Sequence, residues 1–424
     1  MLYRSTQAPV DVAIVGAGPC GCAAALAHAH AGARVLLLEA CEGAHRRLAG
    51  EWLHPAGVAS LARLGVAPPG AAGHGFVVFP DDGGEPIELP YAGGGLGASV
   101  EHTVLVESLR VAAAGTPAIR LVCGRATRAE EGRLTYEERG GCVTTVAVGR
   151  IVGADGRSSL VRRCGRIGEG PARVSHVAGL VLDVDELPFE GYGHVLLGGP
   201  GPVLLYRLGG GRVRACIDRP GPPPRDAAAT LWDEYAAVFP RALVPALAAA
   251  LRERSPHWAA ACFRSRSRPQ HYGDGGVALV GDAVGEFHPL TAVGMTLGFG
   301  DAEELAGAAS VKAYRRTRAA GARVPELLGG ALYEAFTRHD EGTLALRCAI
   351  YELWRRSETK RELTMRLLAV EETGVGAFSR TFLKVLGGAA FAVGRDALVH
   401  RAWPAEARGL ARWLGRLAGG FQPV

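Results

Sequence analysis

The sequence predicts a mixed α/β fold, and three glycine-containing turns are the observations that predict it. The turns lie at Gly16–Gly21, Gly153–Gly156 and Gly281–Asp282. Each follows a short apolar run with the length of a buried strand. After the first and the third turn, the sequence changes to a helical pattern. Strand, turn and helix in this order are typical of parallel sheets that bind ligands at their strand ends.

The first element is a strand–turn–helix–strand unit near the beginning of the sequence. Asp11–Val15 is a predicted strand, Ala23–Ala31 a predicted helix and Ala33–Glu39 a second strand that ends in an acid. The turn between them has the spacing Gly-x-Gly-x-x-Gly, which in this context is the fingerprint of a Rossmann-type dinucleotide site. The residues expected to approach the pyrophosphate or to bind a ribose hydroxyl are Gly16, Gly18, Pro19, Gly21 and Glu39.

The next elements are a hairpin and an amphipathic helix. Phe76–Phe79 and Ile87–Tyr91 are predicted strands on either side of the turn Asp81–Gly84. His102–Ala114 has the apolar spacing of a helix. Residues 120–122 and 143–148 are predicted strands that lead to the second glycine turn.

The second turn carries an acid at a strand end. Gly153-Ala154-Asp155-Gly156 is followed by Ser159 and Arg162. This arrangement fits a loop close to a pyrophosphate, so Asp155 and Gly156 are candidate cofactor residues.

The third turn is the densest motif of the sequence. The predicted strand Val277–Val280 ends in Gly-Asp, and a glycine-rich segment then leads to a predicted helix near Thr296. Glycines let a ligand approach the backbone closely, and an Asp at a strand end can bind a sugar hydroxyl. The candidate cofactor residues here are Gly281, Asp282, Pro289, Gly294 and Met295.

Residues 171–269 have a different character, with several predicted sheet strands followed by two helical stretches. The strands are 177–184, 194–197, 203–208 and 213–218, and a run of three glycines joins the last two. Arg264, Arg266 and Arg268 then alternate along the chain. They are expected to form the outward face of a strand or a basic patch for the phosphate of NADPH. Beyond Asp301 the sequence is helical.

Bulk properties exclude several classes of protein. The net charge of +5 is modest and no long Lys/Arg run occurs, which disfavours nucleic acid as a partner. The nine Cys residues show no paired metal spacing, so no metal is expected and reduced thiols in the cytoplasm are favoured. No secretory signal or long apolar span is evident. A content of 60 Gly, with many Ala and Arg, indicates a bacterial genome of high GC content.

The three turns together resemble the triple signature of FAD-dependent monooxygenases related to aromatic hydroxylases of the p-hydroxybenzoate hydroxylase type. Two further stretches resemble squalene epoxidases. One is Arg47-Leu48-Ala49-Gly50-Glu51-Trp52 with the Pro and Gly that follow. The other is Gly281-Asp282-Ala283 with His288-Pro289-Leu290-Thr291 and Gly294-Met295-Thr296. The resemblance runs from Val12 to about Phe391.

The resemblance implies further site residues. Arg47 would contact the flavin side of FAD, and Glu51 and Trp52 would line the cofactor. Tyr91, at the end of a hairpin strand, would face substrate and flavin and is the candidate catalytic residue. The family usually has an Arg at the position of Val104, for which His102 is a candidate substitute. Apolar residues of the third motif are candidate walls of a substrate cavity, namely Phe287, Leu290 and Val293.

The resemblance also implies the domain organisation. The FAD-binding domain would be discontinuous, with residues 1–75, 98–170 and 270–330. A β-sheet substrate domain would comprise 76–97 and 171–269, and a C-terminal helical region 331–424. The segment Trp403–Phe421 has the pattern of a basic amphipathic helix. It is expected to make peripheral membrane contact or to pack on the other C-terminal helices.

The implied activity is insertion of one oxygen atom of O2 into an apolar natural product, through a flavin C4a-hydroperoxide. Epoxidation of an alkene in a prenyl, terpenoid or polyketide chain of secondary metabolism is favoured. Two alternatives stay open. One is hydroxylation or epoxidation of an aromatic ring such as a phenol or quinolone. The other is FAD-dependent reduction of prenyl double bonds. Electrons would come from NAD(P)H, directly or through a separate flavin reductase.

Overall fold

The computed structural model describes residues 10–40, 51–67, 70–167, 172–263, 266 and 268–400. The chain forms two compact units. The first unit comprises 1–70, 100–171 and 263–326, and the second unit comprises 71–99, 172–262 and 327–424. The described helices of the predicted C-terminal region, up to residue 400, fall in the second unit.

The strands follow in chain order. They are β1 (Val10–Val15), β2 (Val35–Glu39), β3 (Trp52–Leu53), β4 (Ala71–Gly73), β5 (Gly75–Phe79), β6 (Ile87–Pro90), β7 (Gly97–Ser99), β8 (Ile119–Glu130), β9 (Arg133–Glu138), β10 (Val143–Gly153), β11 (Ala172–Asp183), β12 (Tyr192–Leu196), β13 (Val203–Gly209), β14 (Arg212–Pro220), β15 (His257–Phe263), β16 (Gly273–Asp274) and β17 (Val277–Leu279).

The α-helices are α1 (Pro19–His30), α2 (Pro55–Arg63), α3 (His102–Ala114), α4 (Leu160–Cys164), α5 (Ala227–Tyr235), α6 (Val244–Glu253), α7 (Gly294–Gly307), α8 (Val311–Thr337), α9 (Glu341–Arg356), α10 (Glu358–Leu368) and α11 (Val375–His400). Helix α1 begins four residues before its predicted start. Its Pro19 lies in the first turn, where the missing N–H of proline costs nothing.

The first unit is built on a sheet whose central strands are parallel in the order β8–β2–β1–β10–β17. Strand β2 is a run of Val and Leu that is buried along its length, as expected for a parallel strand covered on both faces. β9 pairs with β8 and β10 in antiparallel fashion, and β16 pairs with β17 in the same way. Because β1, β10 and β17 are neighbours, the three glycine turns meet at one edge of this sheet.

The second unit contains a sheet with the order β15–β11–β14–β13–β12–β5–β6. One face packs against α5 and α6 through a buried apolar cluster that includes Leu180, Leu205 and Ile217. The predicted strands of this region are present, and the three glycines 209–211 make the turn between β13 and β14, all with positive φ. Strands β9 and β15 were missed by the sequence-based prediction.

The C-terminal helices pack within the second unit. Helices α9 and α10 contact β6, and α11 packs on α9. In the residues that the structure describes, no helix combines the length and the apolar character needed to cross a membrane. The predicted segment Trp403–Phe421 lies outside those residues, and so does Arg47.

Candidate functional site

The glycines of the first turn have two structural roles: two of them allow close packing, and one borders open space. Gly16 has φ of 101°, and a Cβ on it would lie 2.6 Å from the carbonyl oxygen of Ala154. A Cβ on Gly21 would lie 1.8 Å from the carbonyl oxygen of Gly16. Around Gly18, in contrast, no atom lies within 4 Å of the Cβ position. Gly16 and Gly21 therefore let the turn pack, whereas Gly18 leaves room in front of α1.

The N-terminus of α1 faces this room. The helix has no side-chain cap and no acid in its first turn. Its first N–H groups and the positive end of its dipole are thus available to an anionic group, as at the pyrophosphate of a dinucleotide.

Glu39 lies at the end of β2, and an arginine from α3 meets it. Glu39 Oε2 accepts a hydrogen bond from Ala17 N at 2.8 Å and lies 3.1 Å from Arg110 Nη2. Arg110 Nε in turn donates to the Ala17 carbonyl at 2.9 Å. Both side chains are about 15% exposed (15% and 16%). Sequence reasoning missed Arg110, although it is the one Arg in residues 102–114 and directly follows the buried Leu109.

We expect Glu39→Gln to raise the Kd for FAD about 10- to 100-fold, because a hydrogen bond to a charged group contributes roughly 1.5–3 kcal/mol. Arg110→Gln should also weaken FAD binding, because the Glu39 carboxylate would lose the arginine that holds it in place. If Arg110 acts through Glu39, the double variant should bind FAD about as the Glu39 variant does. Flavin fluorescence titration of the apoprotein measures all three values. Additive losses would mean that the two residues act independently.

The second turn is shaped by its own acid. Asp155 Oδ2 accepts from Leu160 N at 2.6 Å and from Val161 N at 3.2 Å, and so caps α4. Asp155 Oδ1 is buried, and the described residues offer it no hydrogen-bond partner. Gly156 has φ of 73° and open space at its Cβ position. The acid thus has one oxygen committed to the fold and one that fits a donor from a ligand.

Arg162 connects the second turn to the third. Its Nη1 donates to the carbonyl of Ala283 at 2.8 Å, and its Nη2 donates to the carbonyl of Arg157 at 2.6 Å. Ser159 caps the same short helix by accepting from Arg162 N. Asp155, Ser159 and Arg162 therefore each make a contact that shapes this turn or joins it to the third, which explains their spacing in the sequence.

The third turn is anchored by a buried ion cluster. Gly281 N donates to Asp301 Oδ2 at 3.0 Å. Asp301 also pairs with Arg266 and, at 2.9 Å, with Arg318 Nε. Arg266 and Asp301 are both 0% exposed. The prediction of an outward face or a phosphate patch is wrong for Arg266, because its guanidinium turns inward to this carboxylate.

Asp282 remains half exposed beside the cluster. Its carboxylate lies 3.8 Å from Arg157 Nε, which also lies 3.9 Å from Glu286. On the other side of the turn, Cys20 fills the space that a Cβ on Gly281 would need. Burial raises the pKa of the Cys20 thiol, so this group stays protonated and serves as a packing group.

The loop that leads into α7 is held by residues 51–57. His54 Nε2 donates to the Thr291 carbonyl at 2.9 Å, and His54 N donates to Thr296 Oγ1 at 3.3 Å. Gly57 leaves space for Thr296, whose hydroxyl would lie 2.8 Å from a Cβ there. Helix α7 begins at Gly294 without a side-chain cap and with open space at the Gly294 Cβ position. A second helix N-terminus is therefore available to an electron-rich ligand group.

Burial lowers the pKa of His54 from its ordinary value of 6.5 to about 4. The unfolded chain therefore binds a proton on this ring at a higher pH than the folded chain does. The contribution of this neutral ring to the free energy of unfolding is therefore complete above pH 6.5. It falls as the pH drops towards 4, by up to about 3 kcal/mol.

His54→Gln should make this fall shallower, because Gln can still donate to Thr291 but does not titrate. Urea unfolding of both proteins at about pH 7 and about pH 5 measures the difference. Identical pH slopes would contradict a buried neutral His54.

The other residues predicted for the cofactor differ in how deeply they are buried. Glu51 is 2% exposed, and its Oε1 accepts from His102 N at 3.5 Å, at the beginning of α3. Trp52 is buried beside it in β3. Pro289 and Met295 are half buried in the loop before α7 and in the first turn of that helix.

The residues predicted for substrate fall in different environments. Tyr91 follows β6 in the second unit, is 5% exposed, and donates from its backbone N to the His74 carbonyl at 2.8 Å. In the first unit, the Phe287 ring lies 5.5 Å from the Arg266 guanidinium carbon. Leu290 is half buried, and Val293 is buried just before α7.

The first unit fits FAD by these observations. Open space lies at the Cβ positions of Gly18, Gly156 and Gly294, and the helices that begin at the first and last of these turns have no side-chain cap. A hollow of about 450 Å³ lies beyond the end of β2. It is lined by Ala40, which follows Glu39 in the chain, and by residues 123–125 and 137–141.

Comparison with known proteins agrees with this geometry. Residues 9–72 match the model of an FAD binding domain, and residues 150–382, more than half of the chain, match the squalene epoxidase family. Squalene epoxidase erg1 of Schizosaccharomyces pombe is 28% identical over 407 residues, which cover 84% of this chain and 85% of that protein. Squalene epoxidase 3 of Arabidopsis thaliana is 28% identical over 309 residues, or 69% of this chain and 58% of the plant protein.

A solved structure has the same fold. It is that of a probable FAD-dependent monooxygenase from Pseudomonas aeruginosa, with a TM-score of 0.63 and 22% identity, covering 78% of this chain and 97% of that chain. The FAD-binding fold with its sheets and C-terminal helices is thereby confirmed. The chain belongs to the squalene epoxidase family of FAD-dependent monooxygenases.

Proposed function

We propose that the protein inserts one oxygen atom from O2 into a carbon–carbon double bond of an apolar natural product, such as a prenyl, terpenoid or polyketide chain. The supporting observation is the sheet face of the second unit that points away from α5 and α6. Side chains alternate along strands, so every second residue belongs to this face. We call it the apolar sheet face; it is formed by the buried residues Phe76, Val78, Ile87, Leu89, Val195, Leu204 and Tyr206.

Tyr91 continues this face. It follows Ile87 and Leu89 at the same two-residue spacing and is buried as they are. An apolar wall with a few phenol groups suits a hydrocarbon chain that is oriented by one or two hydrogen bonds. We therefore assign Tyr91 as the residue that orients the substrate.

The first unit holds the cofactor in this proposal. Bound FAD, reduced by electrons from NAD(P)H, would activate O2 so that one oxygen atom passes to the substrate and the other leaves as water. The N-terminus of α1 binds the pyrophosphate, and Glu39, held by Arg110, binds the ribose. The remaining cofactor contacts that we propose are Arg47, Glu51, Trp52, Asp155, Gly156, Gly281, Asp282, Pro289, Gly294 and Met295.

Apolar residues of the third motif keep water from the reacting atoms. Phe287, Leu290 and Val293 are proposed for this role because they carry no polar side-chain atoms and flank the N-terminus of α7. Exclusion of water protects a reactive oxygen species from decay to H2O2.

Labelled O2 tests the proposed function. The holoenzyme is supplied with NADH or NADPH, with and without a separate flavin reductase, and with candidate alkenes. One labelled oxygen atom in an epoxide is the expected product. A labelled hydroxyl on an aromatic ring would favour the aromatic alternative. A saturated product formed without O2 consumption would favour a prenyl reductase and overturn the proposal.

Tyr91→Phe should keep FAD affinity but uncouple the reaction. Loss of the hydroxyl removes one substrate hydrogen bond, and a misplaced substrate leaves more reduced oxygen to escape as H2O2. We expect the fraction of NAD(P)H consumed without product to rise several-fold, and Leu290→Ala to act in the same direction. Peroxide and product assays on one sample measure the ratio. Tyr192→Phe, in β12 of the same sheet, is the matched control, and unchanged coupling in Tyr91→Phe would remove the assigned role.

We also propose peripheral membrane contact through α11. Leu383 and Phe391 on this helix are 64% and 75% exposed, and Arg380 and Lys384 are exposed beside them. This combination of apolar and basic groups is typical of helices that lie in a lipid interface. Sedimentation with vesicles that contain anionic lipid should retain the protein, and Leu383→Ser with Phe391→Ser should release it. Equal sedimentation of both proteins would contradict the contact.

A further inference from the structure

The turn between β5 and β6 is held by helix α9 through two adjacent acids. Asp81 pairs with Arg347, and its Oδ1 accepts from the Tyr351 hydroxyl at 2.9 Å. Asp82 makes two hydrogen bonds with Arg355, at 2.6 and 2.9 Å. The sequence predicted this segment only as a turn.

Arg347 is the centre of this contact. It is 1% exposed, so its charge is removed from water almost completely. Its Nε donates to the Ala335 carbonyl at 2.8 Å and its Nη2 to the Arg338 carbonyl at 2.5 Å, while Nη1 binds Asp81. One planar guanidinium therefore ties the end of α8 and the segment after it to the hairpin. A lysine ammonium has no such fork and could not make these contacts together.

The hairpin held in this way carries Tyr91 at its other end. Strands β5 and β6 pair from Val78 with Ile87 to Gly75 with Pro90, and Tyr91 follows directly. Helix α10, which follows α9, packs along β6 and on the short turn Ala92–Gly94. The turn of the hairpin and its Tyr91 end are thus fixed by consecutive C-terminal helices.

We propose that Arg347 is a positioning residue for the reaction: through Asp81 it sets the place of the β5–β6 hairpin and with it the Tyr91 side chain. The C-terminal helices then control how well oxygen transfer is coupled to substrate. This inference rests on the role proposed for Tyr91 in substrate orientation.

The experiment compares Arg347→Lys and Asp81→Asn with wild type in the full-length holoenzyme. Arg254→Gln is the matched control, because Arg254 forms an exposed ion pair with Asp183 at 2.9 Å in the same unit. Hydrogen exchange of residues 85–97 reports on the hairpin without any need for activity. The peroxide-to-product ratio reports on coupling, and FAD affinity reports on the first unit.

We expect both variants to exchange the amides of residues 87–89 and 91 at least about tenfold faster, the effect of one or more lost charge-assisted hydrogen bonds. The peroxide-to-product ratio should rise at least as in Tyr91→Phe, with FAD affinity unchanged and Arg254→Gln like wild type. The positioning role would be overturned if exchange became faster throughout the second unit. It would also be overturned if the hairpin exchanged faster while the peroxide-to-product ratio stayed unchanged. If the wild-type protein makes no oxygenated product, the proposed function fails. Hydrogen exchange of the hairpin still tests whether Arg347 fixes its position.

Discussion

Gly21→Ala is expected to lose nearly all FAD binding. Its Cβ would stand 1.8 Å from the Gly16 carbonyl oxygen, so the turn and α1 must separate. Forced overpacking of this kind costs roughly 1–3 kcal/mol or more, and displacement of the α1 N-terminus should raise the Kd for FAD by at least about a hundredfold. Fluorescence titration with FAD measures the loss, and thermal unfolding of the apoprotein should show a lower midpoint.

Gly18→Ala distinguishes cofactor contact from packing. Gly18 has φ of −76° and no atom within 4 Å of its Cβ position, so the apoprotein should unfold as wild type does. FAD should nevertheless bind about tenfold more weakly, since the methyl group would enter the space assigned to the pyrophosphate. Gly307→Ala, at the exposed end of α7, is the control. An unchanged Kd in Gly18→Ala would show that the pyrophosphate does not lie in front of α1.

Asp301→Asn is expected to destabilise the first unit by about 3–5 kcal/mol, because it leaves buried arginines without their counter-charge. Arg266 is 0% exposed and Arg318 is 14% exposed, so neither gains hydration in compensation. The variant should also weaken FAD binding, since Asp301 holds Gly281 N. Urea unfolding and FAD titration measure the two effects.

Asp274→Asn is the matched control for Asp301→Asn. Asp274 pairs with Arg315 at 2.8 Å but is 85% exposed, and such a pair contributes no more than about 1 kcal/mol. Replacing Arg266 by Met together with Asp301→Asn should recover part of the loss. Similar small losses for Asp301→Asn and Asp274→Asn would contradict a buried ion anchor under the third turn.

Many elements of both units could be predicted from local patterns. The β1–α1–β2 unit, the hairpin β5–β6 and α3 were all predicted from apolar spacing and glycine position. Their signals lie within about a dozen residues, where backbone preference and the buried face determine the element. The family resemblance rested on the same local motifs, in which Gly16 and Gly21 are required by close contacts within the turn.

Interpretations that needed a distant partner were less accurate. Arg264, Arg266 and Arg268 alternate as an outward strand face would, yet Arg266 is buried against Asp301, 35 residues further along. Asp155 was predicted for the cofactor, and the structure adds that it caps α4. Arg110 was not singled out, because nothing near it in the sequence indicates that it meets Glu39.

The sequence by itself determined the α/β class, the order of the three glycine turns and the acid at the end of β2. These depend on strand and helix periodicity and on glycines whose conformation is local. Only the tertiary structure decided which charges meet: Arg110 with Glu39, Arg266 with Asp301, and Arg347 with Asp81. The two members of the last pair are 266 residues apart. A buried charge must find an opposite charge, but packing of distant elements selects which one, and no local pattern records that selection.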